Sequence, residues 1–351
     1  MSSEKLPVEL SKGVNGLEEI ILREARGSSA EVYLYGGHVT SWKNEHGEEL
    51  LFVSSKVLGG GSIFLDYMFE LGFSNHGPLQ SHGFARNRFW SIGPDPPAFR
   101  KNSSSNSHID LILKLSEEDM KIWPHRQFFL KISQTDLLHG FVFYSSYEFR
   151  LRLALGLGGD LMLTSRIRNM NTDGKPFTFA FAYHTYFSVS DISSCGRIET
   201  LDYLDNLQNK ERFTEQGDAI TFDSEVDWIY LSAPTKIAIL DHEKKRTFAI
   251  SNDGLPDAGE SKLFLALKFL FLLHVVVWNP WDKKAKALAD FGDDEYKHML
   301  CVETAAIEKP ITFTPGEEWR GSQELCAVPP SYCGGLLDAR KVLQCAEKMH
   351  Y

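Results

Sequence analysis

The dominant pattern along this chain is an alternation of apolar and polar residues with a period of two. Residues 149–155 (FRLRLAL) place Phe149, Leu151, Leu153 and Leu155 on one side, and Arg150, Arg152 and Ala154 on the other. Residues 161–168 alternate again, with Leu161, Leu163 and Ile167 sharing a face. The glycine-rich stretch between them predicts a tight hairpin. A third strand is predicted over 177–184 (FTFAFAYH). There Phe177, Phe179, Phe181 and Tyr183 share one face, and Thr178, Ala180, Ala182 and His184 share the other. That second face is unusual, because small side chains leave room above the sheet and a histidine stands at its end.

Shorter runs repeat the theme. Strands are expected at 31–35, 39–42 and 50–53, with a turn at His46 and Gly47, and later at 236–240, 246–251, 299–303 and 311–313. No long amphipathic helix of the kind a βαβ unit needs interrupts them, so the predicted class is all-β with a few short helices. Three stretches break the rhythm. Residues 94–108 are rich in Pro, Ser and Asn and read as a loop. Residues 126–145 are apolar without a period, broken by Gln134, Asp136 and His139. Within 259–275, residues 263–273 are almost wholly apolar around Lys268. That run is too short for a membrane span. It fits a buried helix, an exposed apolar insertion or a membrane-contact helix.

Composition narrows the class. The 351 residues are 43% hydrophobic and 24% charged, a balance that builds a globular core. The 24 Phe and 12 Tyr favour sheet. A formal charge of −10 speaks against a nucleic-acid partner, which rewards a basic face, but leaves room for a small anionic ligand held by one or two arginines. The five cysteines (Cys195, Cys301, Cys326, Cys333 and Cys345) are odd in number and form no CxxC pair. They are expected to be reduced thiols of a cytoplasmic protein, not a disulfide frame or a metal site. The first 25 residues carry Glu4, Glu9, Glu18 and Glu19 and no apolar run, unlike a secretory signal or transit peptide.

Four segments carry candidate chemistry. Residues 81–88 (SHGFARNR) set Arg86 and Arg88 beside Ser81 and His82, a set that suits an anion or a polyol; a solvated turn fits the same residues. In 183–187 (YHTYF), His184 stands where its near-neutral titration serves proton transfer; a core histidine fits as well. Trp278 and Trp281 flank a Pro turn in 278–281 (WNPW), giving a flat apolar wall for a sugar face or a packed aromatic corner. Glu303 follows apolar residues in 300–304 (LCVET), as a partly buried base or a surface glutamate. There is no Walker loop, GxSxG elbow or HExxH motif, and Gly59, Gly60 and Gly61 lack the GxGxxG spacing.

In this order the four segments resemble the hexose-6-phosphate mutarotases, a branch of the aldose-1-epimerase superfamily, and plant members above all. The runs 201–205 (LDYLD), 213–218 (FTEQGD) and 289–294 (ADFGDD) extend the likeness over most of the chain. The resemblance implies a galactose-mutarotase-like β supersandwich over 6–338, followed by a tail at 339–351. It implies a cofactor-free monomer that acts on a small sugar phosphate, with no nucleic-acid or membrane partner and no metal. It makes His184 the general acid and Glu303 the general base, with Ser81, His82, Arg86, Asp205 and Trp278 around the substrate and Arg86 on its phosphate. Two alternatives stay open: a non-catalytic or impaired carbohydrate-binding relative, and an aldose epimerase acting on unphosphorylated sugar.

The chain also departs from the pattern. Where the family carries an Arg-Gly-Gly-Ile-Pro segment, residues 57–63 read VLGGGSI, so one ligand-contacting arginine is missing. Removing 126–145 would join IWPH directly to SYEF, and removing 259–275 would join LPDA to VVWNPW. Both junctions then read as continuous family sequence, which marks the two tracts as insertions of translated intron or mis-spliced origin.

Overall fold

The computed structural model describes residues 6–56, 63–68, 85–94, 107–114, 147–172, 174–196, 202–215, 222–255, 273–328, 332–333 and 336–337. The early strands are β1 (Val8–Lys12), β2 (Glu18–Arg23), β3 (Ser29–Tyr33), β4 (Val39–Lys43), β5 (Ile63–Met68), β6 (Ser91–Ile92) and β7 (Ser107–Lys114). The middle of the chain supplies β8 (Tyr147–Leu155), β9 (Leu161–Asn169), β10 (Phe177–Ser188), β11 (Cys195–Gly196), β12 (Asp202–Asp205), β13 (Glu211–Thr214) and β14 (Val226–Ala233). The last third adds β15 (Lys236–Asp241), β16 (Arg246–Asp253), β17 (Leu273–Asn279), β18 (Met299–Phe313), β19 (Glu318–Val328), β20 (Tyr332–Cys333) and β21 (Leu336–Leu337), with one short helix, α1 (Trp281–Ala287), after β17.

Two large antiparallel sheets form the body. One has eleven strands in the order β1-β2-β3-β4-β5-β10-β18-β17-β14-β12-β13, and the other has eight in the order β11-β15-β16-β19-β9-β8-β7-β6. β20 and β21 form a separate two-stranded sheet. Alternation decides which side chains meet between the sheets. Phe149, Leu151, Leu153, Leu155, Leu161, Leu163 and Ile167 all enter the core, as their spacing predicts. From the larger sheet, Phe179, Phe181, Tyr183, Val275, Val277, Leu300 and Val302 face them. The hairpin between β8 and β9 turns at Gly159, whose φ of +83° a side chain would strain. A Cβ there would also meet Ser28 Oγ at 2.5 Å. The close approach lets Trp42 Nε1 donate to the Gly159 carbonyl at 2.8 Å.

Several expected elements differ in extent. Residues 50–53 do not form a strand of their own. They make a single bridge, Leu51 to Phe187, and the Phe52 N–H donates to the Tyr186 carbonyl at 2.9 Å. The strands expected at 299–303 and 311–313 are the two ends of one, β18. Its partner on β10 shifts from Ala306 opposite Phe181 to Ile311 opposite Phe179, and this irregularity hides the continuity from a strict period of two. Strand β17 already starts at Leu273, inside the tract expected to be inserted at 259–275. His274 pairs with Ala305 and Leu273 with Ala233, so residues 273–275 belong to the sheet. Residues 259–272 and 126–145 lie outside the described residues. Among the described residues no helix is long and apolar enough to cross a membrane.

Two tyrosines in this core give an alkaline signature. Tyr183 donates to Ser165 Oγ at 3.0 Å, and burial pushes its phenol far above the ordinary value. Tyr230 is pushed the same way, first by burial and then by the charge of Glu215. A raised folded-state value means this stability is complete below the unfolded tyrosine value of about 10 and is lost as pH rises beyond it. The urea midpoint should therefore fall above about pH 10, and Tyr183→Phe should fall less steeply with pH than the native chain. Equal alkaline slopes in the two proteins would contradict this.

Candidate active site

The site is built where β10, β18 and β17 lie side by side. His184 on β10 is directly opposite Glu303 on β18, and Glu303 is directly opposite Val276 on β17. On either side of that row lie Ala182, Ala305 and His274, and Tyr186, Cys301 and Trp278. All nine positions point away from the sandwich core, because their chain neighbours Tyr183, Val302, Val275 and Val277 point into it. The predicted small-residue face of β10 is therefore real, and Ala180 and Ala182 are buried on it beside the histidine.

His184 Nε2 lies 3.2 Å from Glu303 Oε1, and each side chain keeps only 7% exposure. The imidazole stacks on the Tyr186 ring at 4.8 Å between centroids, and Tyr186 meets Trp278 edge-on at 6.4 Å. Cys301 Sγ approaches Glu303 Oε1 at 3.9 Å. An imidazole nitrogen and a carboxylate oxygen thus approach each other with little exposure and with an aromatic ring stacked on one flank.

What holds this pair lies behind and below it. Thr185 and Thr304 are the next residues on each strand and point into the core. Gln323 of β19 binds both: its Nε2 donates to Thr304 Oγ1 at 2.8 Å, and its Oε1 accepts from Thr185 Oγ1 at 3.3 Å. One buried side chain from the opposite sheet therefore pins the two strands whose previous residues are His184 and Glu303. At the end of β10, the Ser190 N–H donates to Asp241 Oδ2 at 3.1 Å, and Arg246 Nη2 donates to the Ser188 carbonyl at 2.8 Å.

Of the two readings of the segment with two tryptophans, the packed aromatic corner is the one found. Trp278 faces Tyr186, whereas Trp281 opens helix α1 and packs on Tyr296 at 5.3 Å. Both belong to a second apolar cluster with Phe291, Met299 and Cys301. The residue between them fixes the corner. Asn279 is fully buried, donates to the carbonyls of Tyr296 and Met299 at 2.8 and 2.7 Å, and accepts from the Trp281 N–H at 2.9 Å.

The remaining expected residues scatter. Ser81 and His82 lie outside the described residues, as do 57–62, where the family arginine is missing. Arg86 sits in a short 3-10 turn, Ala85–Asn87, that packs against β5, the strand next to β10. Asp205 is elsewhere. It ends β12, four strands from β10, or about 19 Å at the usual strand spacing. It pairs with Trp228 on the alternation that carries Tyr230 into the core, not on that of His184. Its carboxylate accepts from the Leu207 N–H at 2.9 Å and from Gln208 Nε2 at 2.8 Å, capping the following turn. The Asp-Asn-Leu-Gln order was a readable sign of such a turn. Tyr186 and Cys301 were equally readable, since each lies two residues from a site residue on its own strand. Gln323 was not, because its threonine partners come from two strands of the other sheet, and Asn279 was not, because two of its three partners are backbone carbonyls 17 and 20 residues further on.

Known proteins are similar to this chain in sequence and in fold. The family profile described as Aldose 1-epimerase matches residues 18–135, 126–258 and 271–326. A Cenchrus ciliaris protein provisionally named glucose-6-phosphate 1-epimerase is 58% identical over 345 residues, covering 95% of this chain and 92% of that one. A crystal structure from Salmonella typhimurium, provisionally described as a mutarotase, superposes with a TM-score of 0.69 at 22% identity, covering 94% of this chain and 96% of that one. The galactose 1-epimerase of Lactobacillus acidophilus has the same fold, with a TM-score of 0.60 at 14% identity over 93% of this chain and 99% of that one.

Asn279→Ala should remove three hydrogen bonds and strand two buried carbonyls, at a cost of about 1–3 kcal/mol. Denaturant unfolding measures the loss. A change below about 0.5 kcal/mol, the level of an ordinary surface substitution, would show that the corner is held by packing alone.

Proposed function

The chain belongs to the aldose 1-epimerase family, and from that premise we propose that it interconverts the α and β anomers of a hexose 6-phosphate, glucose 6-phosphate first. The observation that carries the reading is the contact between His184 and Glu303. The reaction needs a base at the anomeric hydroxyl and an acid at the ring oxygen. Both oxygens are bonded to the same carbon, so the two catalytic groups must be close enough to bracket one atom.

In this reading Glu303 takes the proton from the anomeric hydroxyl while the His184 imidazolium gives one to the ring oxygen. The ring opens to the aldehyde and a C5 hydroxyl. The C1–C2 bond rotates. His184 then takes the proton back from the C5 hydroxyl as that oxygen attacks the other face, and Glu303 returns its proton to the new anomeric oxygen. The pair starts as imidazolium and carboxylate and ends the same way. Its net charge is zero throughout, which suits a buried site. Stacking on Tyr186 keeps the ring in its plane, and Trp278 supplies an apolar flank for a sugar face.

Arg86, beside β5, is the residue we assign to the phosphate. The 58% identity to the Cenchrus ciliaris protein, named for the phosphorylated sugar, supports that substrate. The missing arginine within 57–63 favours a second reading, turnover of free aldose. The family profile supports an insertion between β16 and β17, since its match stops at 258 and resumes at 271.

Saturation-transfer NMR on glucose 6-phosphate and on glucose tests both readings. Exchange should be faster on the phosphate, with a bell-shaped pH profile. His184→Ala and Glu303→Gln should each lose about 10²–10⁴-fold. Arg86→Ala should raise KM for the phosphate by about 10- to 150-fold, the equivalent of about 1.5–3 kcal/mol, and leave free glucose unchanged. Equal rates on both sugars would favour the free-aldose reading, and native exchange by Glu303→Gln would sink the mechanism.

A further inference from the structure

The third donor at this site has no part in proton transfer. His184, Cys301 and Glu303 offer a nitrogen, a sulfur and an oxygen that all lie within 4.8 Å of one another, and all three residues are buried. We propose that this trio is a reversible binding site for a borderline-soft divalent cation of the zinc class, and that occupation silences the acid–base pair. The silencing rests on the function proposed above; the binding does not.

The geometry suits such an ion. Zinc bonds run about 2.0–2.1 Å to nitrogen, about 2.0–2.2 Å to oxygen and about 2.3 Å to sulfur, so the edges of a tetrahedral site are about 3.3–3.6 Å. His184 Nε2 to Glu303 Oε1 is 3.2 Å, and Cys301 Sγ to Glu303 Oε1 is 3.9 Å. Side-chain rotations within one strand pair would bring all three to one centre. The donors are on paired strands pinned by Gln323, so the site is largely preformed.

The chemistry selects the metal. A thiolate and an imidazole favour zinc or cadmium over magnesium or calcium, which demand oxygen. Binding forms S–metal, N–metal and O–metal bonds and releases the Cys301 thiol proton to solvent, together with the imidazolium proton where one is present. A divalent cation with one thiolate and one carboxylate is electrically neutral, as the buried setting requires. A fourth position stays open to water. The lone pair of His184 and the Glu303 oxygen are then both consumed, and no proton can move.

A second grouping, Asp160, Glu324 and Cys326, has a similar spacing but no nitrogen donor. Burial, followed by the two neighbouring carboxylates, pushes its thiol far up and disfavours the thiolate. It serves as the internal control.

Cadmium added to the full-length protein should produce the ultraviolet charge-transfer band of a cadmium–thiolate bond. Cys301→Ala should abolish that band, and Cys326→Ala should keep it. Zinc should stop anomer exchange by the native protein, and a chelator should restore it. Judged against its own rate without zinc, Cys301→Ala should need far more zinc for the same loss of exchange, beyond the roughly 10- to 100-fold that loss of an outer-sphere partner costs. Thermal melts of both variants verify the fold. A band that survives in Cys301→Ala overturns the site, and undiminished zinc sensitivity there overturns the silencing. If basal exchange is absent in the native protein, the proposed function fails, while the cadmium band still decides the metal site.

Discussion

The register between β10 and β18 is the constraint on which the rest depends. It sets His184 directly opposite Glu303 and sends both to the same side of the sheet. A slip of one residue on either strand would exchange a site residue for a core residue, because the side-chain period is two. Two forces oppose that slip. On the core side, Phe179, Phe181 and Tyr183 of β10 and Leu300 and Val302 of β18 would be thrown towards the open face. Within the core, Gln323 accepts from Thr185 and donates to Thr304, and its amide also reaches Asn252 Oδ1 at 3.3 Å. The apolar contacts give strength without direction, and the buried amide gives direction. A glutamine there needs both partners, since an unsatisfied buried polar group costs about 1–3 kcal/mol.

The site is therefore an outcome of the sandwich more than an addition to it. The same strands that close the core present His184, Glu303 and the stacked Tyr186 on their reverse face. The corner after β17 does the equivalent work on the flank, where Asn279 ties the end of one strand to the start of the next and sets Trp278 beside Cys301. Helix α1 and the cluster around Phe291 and Tyr296 complete that side. Around the pair, an amide, two threonines and the charged Asp241 and Arg246 hold the strands that the fold itself needs.

Much of this was legible in the chain. Alternation over 149–155, 161–168 and 177–184 gave the faces of β8, β9 and β10 residue by residue, and it placed His184 on the small-residue side. The family resemblance named His184 and Glu303 as a pair, and the register sets them directly opposite each other. Partnership between strands was not legible, because it depends on register between residues more than a hundred apart. So the bridge of Leu51 to Phe187, the continuity of β18 across its irregular middle and the role of Gln323 emerge only from the fold. Asp205 shows how local chemistry uses a motif residue. A motif suggested a ligand contact, while local chemistry spends the carboxylate on capping its own turn. The paired tryptophans look like one surface in the sequence and diverge in space, since Pro280 and the positive φ of Trp281 turn the second ring away.

The central claim is that His184 and Glu303 act as one unit. The most direct measurement is a double-mutant cycle on the anomer exchange rate, with His184→Ala, Glu303→Gln and the two combined. Groups that move protons in the same step are strongly non-additive. The double variant should be no slower than the slower single variant. If instead the two losses multiply, the residues act independently, and the account of a coupled acid–base pair is wrong.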